Sequence, residues 1–507
     1  MKKYVKCATL LLSVSLMLGS FAGCQPSGNE SDSSDEYEWV YESVEAVPGK
    51  DSSGSKDTSG DTSQGSSGSS SGTTSGSKNP STGGNLDKVE TKGKTFTVIS
   101  PFMVAKKTAN MDLYNELFLE RAEEVEKELG CTIKIVTTVK PTAEWLAPQV
   151  RAGKKVADLL HVEMKHLVPF VSAGYIKAWN EVPGVNVNDE NYNQAVTKVS
   201  TIRGKTYGLT MLKPEEVRYC GIINKTLLKK YGIEPNDIYK KIDDGTWNFQ
   251  ALLDYALQIQ KNTSFRGNAI DADPRYLIEM LMAANDARIV TMDKNGNATP
   301  TYNSANAREA AQFMYDIVYK HKLYNPKRWM QNEAAGPDQF IKGNVAFLFD
   351  EAWVVAKRVK EKVKNFDYGL IMLPKGPKAS NYVSGLEHAN MFVTTSTNKE
   401  LDFTAKVLNA LSKAPKKQSG SQWWLDEVAL DVLQTPNDTQ SMKIYKQCLA
   451  SPTIDYGMCL STLANSFKDA VLQNAIMDEK VTVSAAFDSI NGKLDGTIND
   501  IFGKLPK

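Results

Sequence analysis

The stretch from Lys94 to Val139 reads as strand, helix and strand in immediate succession, which commits the chain to a layered α/β architecture. "KTFTVIS" is rich in β-branched and aromatic residues, "MDLYNELFLERAEEVEKELG" repeats its apolar residues at helical spacing and stops at Gly130, and "CTIKIVTTV" is β-rich again. A helix between two such strands implies a parallel sheet covered by helices. The alternation continues through "VADLLHV", "KTYGLTML", "GIINKTLLKKYGI", "NFQALLDYALQIQKN", "NVAFLFD" and "DYGLIML", and from about Leu401 the pattern is mostly helical. Some 410 residues of helix-rich α/β protein are expected from these runs.

What precedes them is of another kind. Lys2, Lys3 and Lys6 stand ahead of the apolar stretch Ala8 to Leu18, followed by "GSFAGC", which reads as an export signal too short for a confident membrane span. Then comes the acidic patch "DEYEWVYESVE", and after it a run from Gly49 to Asn85 made almost wholly of Gly, Ser, Thr and Asp. Such a run cannot bury enough apolar surface to offset the entropy of ordering it, so residues 24–93 are expected to form a disordered, flexible tether. At roughly 5–6 Å × √n, the tether would hold the folded part about 45 Å from its start. "GSSSG" at Gly68 to Gly72 fits the G-x-S-x-G pattern of serine hydrolases, but no strand precedes it and no helix follows.

Charge and motifs exclude several functions. Sixty Lys and Arg against 59 Asp and Glu leave a formal charge of +1 with no basic block to follow a phosphate backbone, so no nucleic-acid partner is expected. "GKT" at Gly93 and Gly204 lacks the upstream glycine of a phosphate loop, and four scattered histidines give no zinc spacing; neither cofactor nor metal is expected. Cys131, Cys220, Cys448 and Cys459 form no C-x-x-C pair, and Cys448 with Cys459 are open between a disulfide and two buried thiols.

Several segments, in order, resemble one family, the extracellular solute-binding proteins of bacterial ABC importers, in the family 1 group that includes maltose-binding protein. "RGKTYGLT" resembles its G-K-x-Y-G-[LIV]-P segment, with Thr210 in place of the proline; "GIINKTLLKKYGIEPN" followed by "GTWNFQALLDYALQIQ" is similar to its strand, N-K-x-L-F helix and T-W-x-E-L helix. "FIKGNVAFLFDEAW" looks like its F-x-x-G-K-A-A-M-x-x-x-x-x-W motif, and "FDYGLIMLPKGP" matches its strand ending in L-P-x-G-P. Ala22 and Gly23 before Cys24 resemble the bacterial lipobox, with Phe21 in place of the usual leucine. The resemblance implies a signal peptide over 1–23, lipidation at Cys24, and a two-lobed periplasmic-binding-protein-like fold of type II with a cleft between the lobes. By analogy lobe one holds 94–208 and 391–450, and lobe two holds 209–390 and 451–507. It further implies a monomer anchored at the extracellular face of the cell membrane, catalysing nothing and passing a small solute, often a carbohydrate, to a permease. A receptor for a polyamine, a peptide or another solute, and a secreted glycoside hydrolase, are the alternatives.

Sugar rings offer apolar C–H faces rimmed by hydroxyls, so a sugar cleft needs flat aromatic plates with carboxylates and amides beside them. Trp353 with Asp350 and Glu351 supplies both within four positions. From spacing alone, Trp353 is equally a core residue with the two acids capping the following helix; the resemblance puts its tryptophan in the cleft. His161 and Glu163 follow the apolar run "VADLL", Phe102 follows "FTVIS", and open α/β sheets bind ligands at such strand ends. Tyr207 and Arg218 flank the first expected crossover between lobes, and Glu387, His388 and Asn390 lie in the return crossover "SGLEHANMF". Arg275 and Tyr276 open a helix at a position that lines the cleft in the family, or else are a cap and a surface arginine. Of the adjacent Trp423 and Trp424, at least one is expected in the core.

Overall fold

The structure, a computed structural model, describes residues 86–108, 111–211, 217–329, 335–418, 429 and 432–506. Cys24, the tether up to Asn85, and the pair Trp423 and Trp424 lie outside the described residues. All described residues belong to one compact unit, Lys78–Lys507.

The opening follows the expected order. Strand β1 (Thr95–Ile99) leads to helix Leu113–Leu129, whose first turn is capped by the Asp112 side chain accepting from Asn115 N and whose end is Gly130 at φ 65°, a left-handed stop that favours glycine. Phe118, Ala122 and Val125 recur at helical spacing and are all buried. The chain returns as β2 (Thr132–Val136), parallel to β1, then as β3 (Leu159–Glu163) on the other side of β1, with β4 (Ile176–Lys177) at the far edge.

The second sheet is built from β5 (Tyr219–Asn224), β6 (Asn268–Ala272), β7 (Val345–Glu351) and β8 (Tyr368–Ile371), in spatial order β8-β5-β7-β6. Strand β7 is buried at every position, as a central strand covered on both faces must be. It runs parallel to β6 and antiparallel to β5, with Glu351 opposite Tyr219 and Asp350 opposite Cys220. Trp247, from the T-W segment, is fully buried and donates its indole N–H to Met372 O at 2.9 Å. The chain then returns to the first sheet as β9 (Asn390–Thr395), inserted antiparallel between β3 and β4. Both sheets are therefore mixed, where the opening motif alone implied parallel pairing.

The expectation that lobe one keeps the chain as far as 450 is corrected by helix Thr439–Ala450, which packs on β8 of the second sheet. Just before it, Asp438 pairs with Lys225 at 2.6 Å, and Ser441 Oγ accepts from Leu370 N at 2.8 Å. The buried face of this helix, Ile444, Tyr445 and Cys448, covers apolar surface that the second sheet would otherwise expose. All four cysteines among the described residues are buried free thiols; Cys448 Sγ lies 3.5 Å from Met372 Sδ, and Cys459 Sγ points to Glu387 O.

The Arg203 side chain links three separate segments of the chain. Arg203 and Gly204, both at positive φ, form the two-residue turn between strands Thr201–Ile202 and Lys205–Thr206. The Arg203 guanidinium donates to Asn295 O, Gly296 O, Leu505 O and Pro506 O at 2.8–3.2 Å. It thereby joins a lobe-one hairpin to the Val290–Pro300 hairpin of lobe two and to the C-terminal segment.

Candidate functional site

The expected residues stand at the carboxyl ends of strands in both sheets. Phe102 follows β1, Glu163 ends β3, Asp273 to Tyr276 follow β6, and Trp353 follows β7. Lys357 Nζ lies 3.8 Å from Asp112, and Met164 N donates to Ala389 O at 2.8 Å, one step beyond the Glu163–Asn390 pair of the β3–β9 ladder.

Trp353 is not core. It and Phe102 are 37% and 40% exposed, and with Val481 they make up the exposed large hydrophobic residues of the described chain. The indole is fixed in place, because its N–H donates to Glu351 Oε2 at 2.6 Å and the Arg358 guanidinium lies 5.5 Å over the ring. Glu351 occupies the cap position of the following helix yet makes no capping hydrogen bond, so the capping alternative does not hold for its side chain. Asp350, one residue earlier on the strand, faces the opposite side of the sheet with Cys220; its Oδ1 accepts from Glu351 N, and burial pushes its carboxyl well above the usual range. The expectation that Asp350 and Glu351 act together is thereby corrected, since strand alternation separates them.

Phe102 rests on His161 rather than beside it. The His161 ring is stacked on Phe392 at 4.1 Å, meets the edge of Phe102 at 5.3 Å, and has Nδ1 2.9 Å from Ser100 Oγ. Burial, with Arg218 nearby, pushes its pKa down to about 3, so the ring is neutral. His161 is therefore a support beneath Phe102 and not the surface group expected of it.

A second cluster lies around Tyr219. Its hydroxyl donates to Glu279 Oε2, which His388 Nε2 also approaches at 3.1 Å, while Lys468 pairs with Glu279 Oε1 at 2.5 Å. Burial would raise the Glu279 carboxyl, but Lys468 and His388 hold it down at about 2. Burial would lower the His388 ring, and the Glu279 carboxylate outweighs this to raise it above 6.5. Tyr276 meets His388 edge-on at 5.2 Å. Glu387, 4% exposed, accepts from Asp455 N through Oε1, and burial with the Glu279 charge pushes its carboxyl up to about 7. A Cβ at Gly385 would stand 2.4 Å from Glu387 Oε2 and 2.6 Å from the Tyr219 ring, so only glycine permits this approach.

The other expected residues divide. Tyr207 is buried in the main core cluster, drawn there by the hairpin that carries it. Arg275 folds back on the helix-capping Asp273, with Nη2 to Oδ2 at 2.6 Å, which matches the cap-and-surface alternative. Glu163 is half-buried and paired with Lys165, and Asn390 stands opposite it in the ladder at the junction of the lobes. Arg218 bears on His161 and accepts from Ala352 N through its carbonyl. Tyr219, Glu279 and Lys468 were not foreseen. Glu279 alone left a trace, as a single acid within the apolar run "YLIEMLMAA" that would need a partner once buried.

Over residues 105–418 the chain matches the family model described as bacterial extracellular solute-binding protein. The chain belongs to that family. Among relatives of this solute-binding protein, one from Brucella abortus, named no further than as a candidate binding protein, is 24% identical over 290 residues, a match spanning 55% of this chain and 65% of the relative. Two solved structures share its two-lobed fold over 80–81% of this chain and 99% of their own. They are the cyclic alpha-maltosyl-1,6-maltose binding protein of Arthrobacter globiformis, at TM-score 0.57 and 15% identity, and the GacH receptor of Streptomyces glaucescens, solved unliganded and with acarbose, at 0.54 and 16%. UgpB from Mycobacterium tuberculosis, solved with glycerophosphocholine, is similar at TM-score 0.55 and 13% identity. Among the described residues no helix is long and apolar enough to cross a membrane.

Proposed function

We propose that this protein is a lipid-anchored receptor at the extracellular face of the membrane, binding a carbohydrate between its lobes and passing it to an ABC importer permease. The observation that carries the carbohydrate reading is that two exposed aromatic rings, Phe102 and Trp353, each follow a strand end, and that Trp353 is held by the buried carboxylate of Glu351. Aromatic faces take the C–H face of a sugar ring, and Glu351 and Glu387 accept from hydroxyls at its rim. The Arthrobacter and Streptomyces structures, named for sugar ligands, favour the same class. Anchoring would rest on Cys24 and the tether, and the protein would work as a monomer that binds without catalysis.

A thermal-shift screen of oligosaccharides tests this reading. A concentration-dependent rise in melting temperature without product formation is expected. No shift with any sugar, or hydrolysis of one, would overturn it. For the anchor, Cys24→Ser should move the protein from the membrane fraction to the medium.

UgpB, solved with a phosphodiester, keeps a non-sugar solute as the second reading. A shift with such a compound and none with sugars would select it.

A further inference from the structure

We infer that the solute carries a protonated amine, seated between the carboxylates of Glu351 and Glu387; this rests on the carbohydrate reading and specifies an amino sugar.

Both side chains are almost wholly buried, at 3% and 4% exposure, and each has one oxygen engaged and one without a hydrogen-bond partner. Glu351 Oε2 takes the Trp353 indole and Glu387 Oε1 takes the Asp455 amide, which leaves Glu351 Oε1 and Glu387 Oε2. Tyr219 connects the two, standing opposite Glu351 in the ladder with its ring against the Gly385 backbone that Glu387 Oε2 also approaches, and both charges bear on it.

The local cations are already committed. Lys468 and His388 serve Glu279, and the Tyr219 hydroxyl donates to the same carboxylate. Asp455 is satisfied by the amides of Ile289, Val290, Gly457 and Met458. Neither Glu351 nor Glu387 forms an ion pair among the described residues. Nearby, Asn390 Oδ1 is a further buried acceptor without a partner.

An ammonium group has three donors and no acceptor, which matches a site whose vacant positions are acceptors. A hydroxyl could satisfy one of these oxygens, but it would bring no charge to the Glu351 carboxylate, and an unpaired buried charge is costly. Since burial holds the Glu387 carboxyl at about 7, an arriving cation would displace its proton.

The test uses matched probes: maltotriose and cellotriose, each against its trimer of 2-amino-2-deoxy sugars, by titration calorimetry at pH 6.5 in phosphate and in HEPES. At least one amino trimer should bind tenfold or more tighter than its neutral counterpart and release protons, read as a buffer-dependent heat. Glu351→Gln and Glu387→Gln, checked for folding by thermal melting, should each lower affinity for the amine more than for the neutral sugar. Equal or tighter binding of the neutral trimer in both pairs, or no binding of either amino trimer, overturns the inference. Neutral sugars that bind without amine preference would leave the carbohydrate reading standing; failure of every sugar in the wider screen would remove both.

Discussion

The indole nitrogen of Trp353 donates to Glu351 Oε2 at 2.6 Å, which makes a buried carboxylate the holder of an exposed aromatic plate. The plate's orientation is therefore set before a ligand arrives, and binding need not order a free side chain.

Trp353→Ala should weaken sugar binding by about 1–3 kcal/mol, the usual cost of a lost aromatic anchor. Apo stability should fall by about 1–3 kcal/mol, because the ring, 37% exposed, loses little packing but Glu351 Oε2 loses its donor. Calorimetric titration paired with urea unfolding separates the two; a loss of about 3–5 kcal/mol in the unfolding series would mark a core residue.

The contribution of Glu387 to stability should fall as pH rises from about 4.5 to 7. Glu387 ionises near 4.5 in the unfolded chain but near 7 when folded, so the unfolded state releases its proton first and gains over that interval. The shift corresponds to about 3 kcal/mol. His388, raised above 6.5 by Glu279, adds a loss in the same direction at the upper end. Glu279, held at about 2, acts oppositely and only in acid, where its contribution is lost as pH falls below 4.5. Urea unfolding across pH 4.5–7.5 should show the protein losing stability relative to Glu387→Gln as pH rises; His161, held neutral at about 3, acts oppositely but equally in both.

Lys468→Met should destabilise the protein by about 3–5 kcal/mol, since it leaves Glu279 buried without its strongest counterion. The double variant Lys468→Met with Glu279→Gln should recover part of this loss. Non-additivity in thermal unfolding measures the coupling.

Arg203→Ala removes a guanidinium that binds four backbone carbonyls in two other segments, and should cost about 2–3 kcal/mol. Gly296→Ala should act on the same contact, because its Cβ would stand 2.2 Å from Arg203 Cγ at a position with φ 72°. Faster hydrogen exchange at the Val290–Pro300 hairpin and at the C-terminus is expected in both.

The fold was legible where it depends on local pattern. Strands β1, β2 and β7, the helix ended by Gly130, and the T-W segment follow from periodicity and turn chemistry. The limit of lobe one at 450 was misplaced because an amphipathic helix does not declare which sheet its apolar face covers. Trp353 could be named but not placed, and His161 was open between ligand contact and structural support because a strand end does not declare whether a side chain lies over the surface or beneath it.

By itself the sequence determined the α/β alternation and the order of motifs, since each depends on neighbours within a few turns of chain. Tertiary structure decided the rest. Tyr219, Glu279, Glu387 and Lys468 lie far apart in sequence, and only the pairing of strands and the packing of the C-terminal helices bring them together. Which carboxylate finds a cation and which is left as a bare acceptor depends on that assembly, because burial and charge act through space and not along the chain.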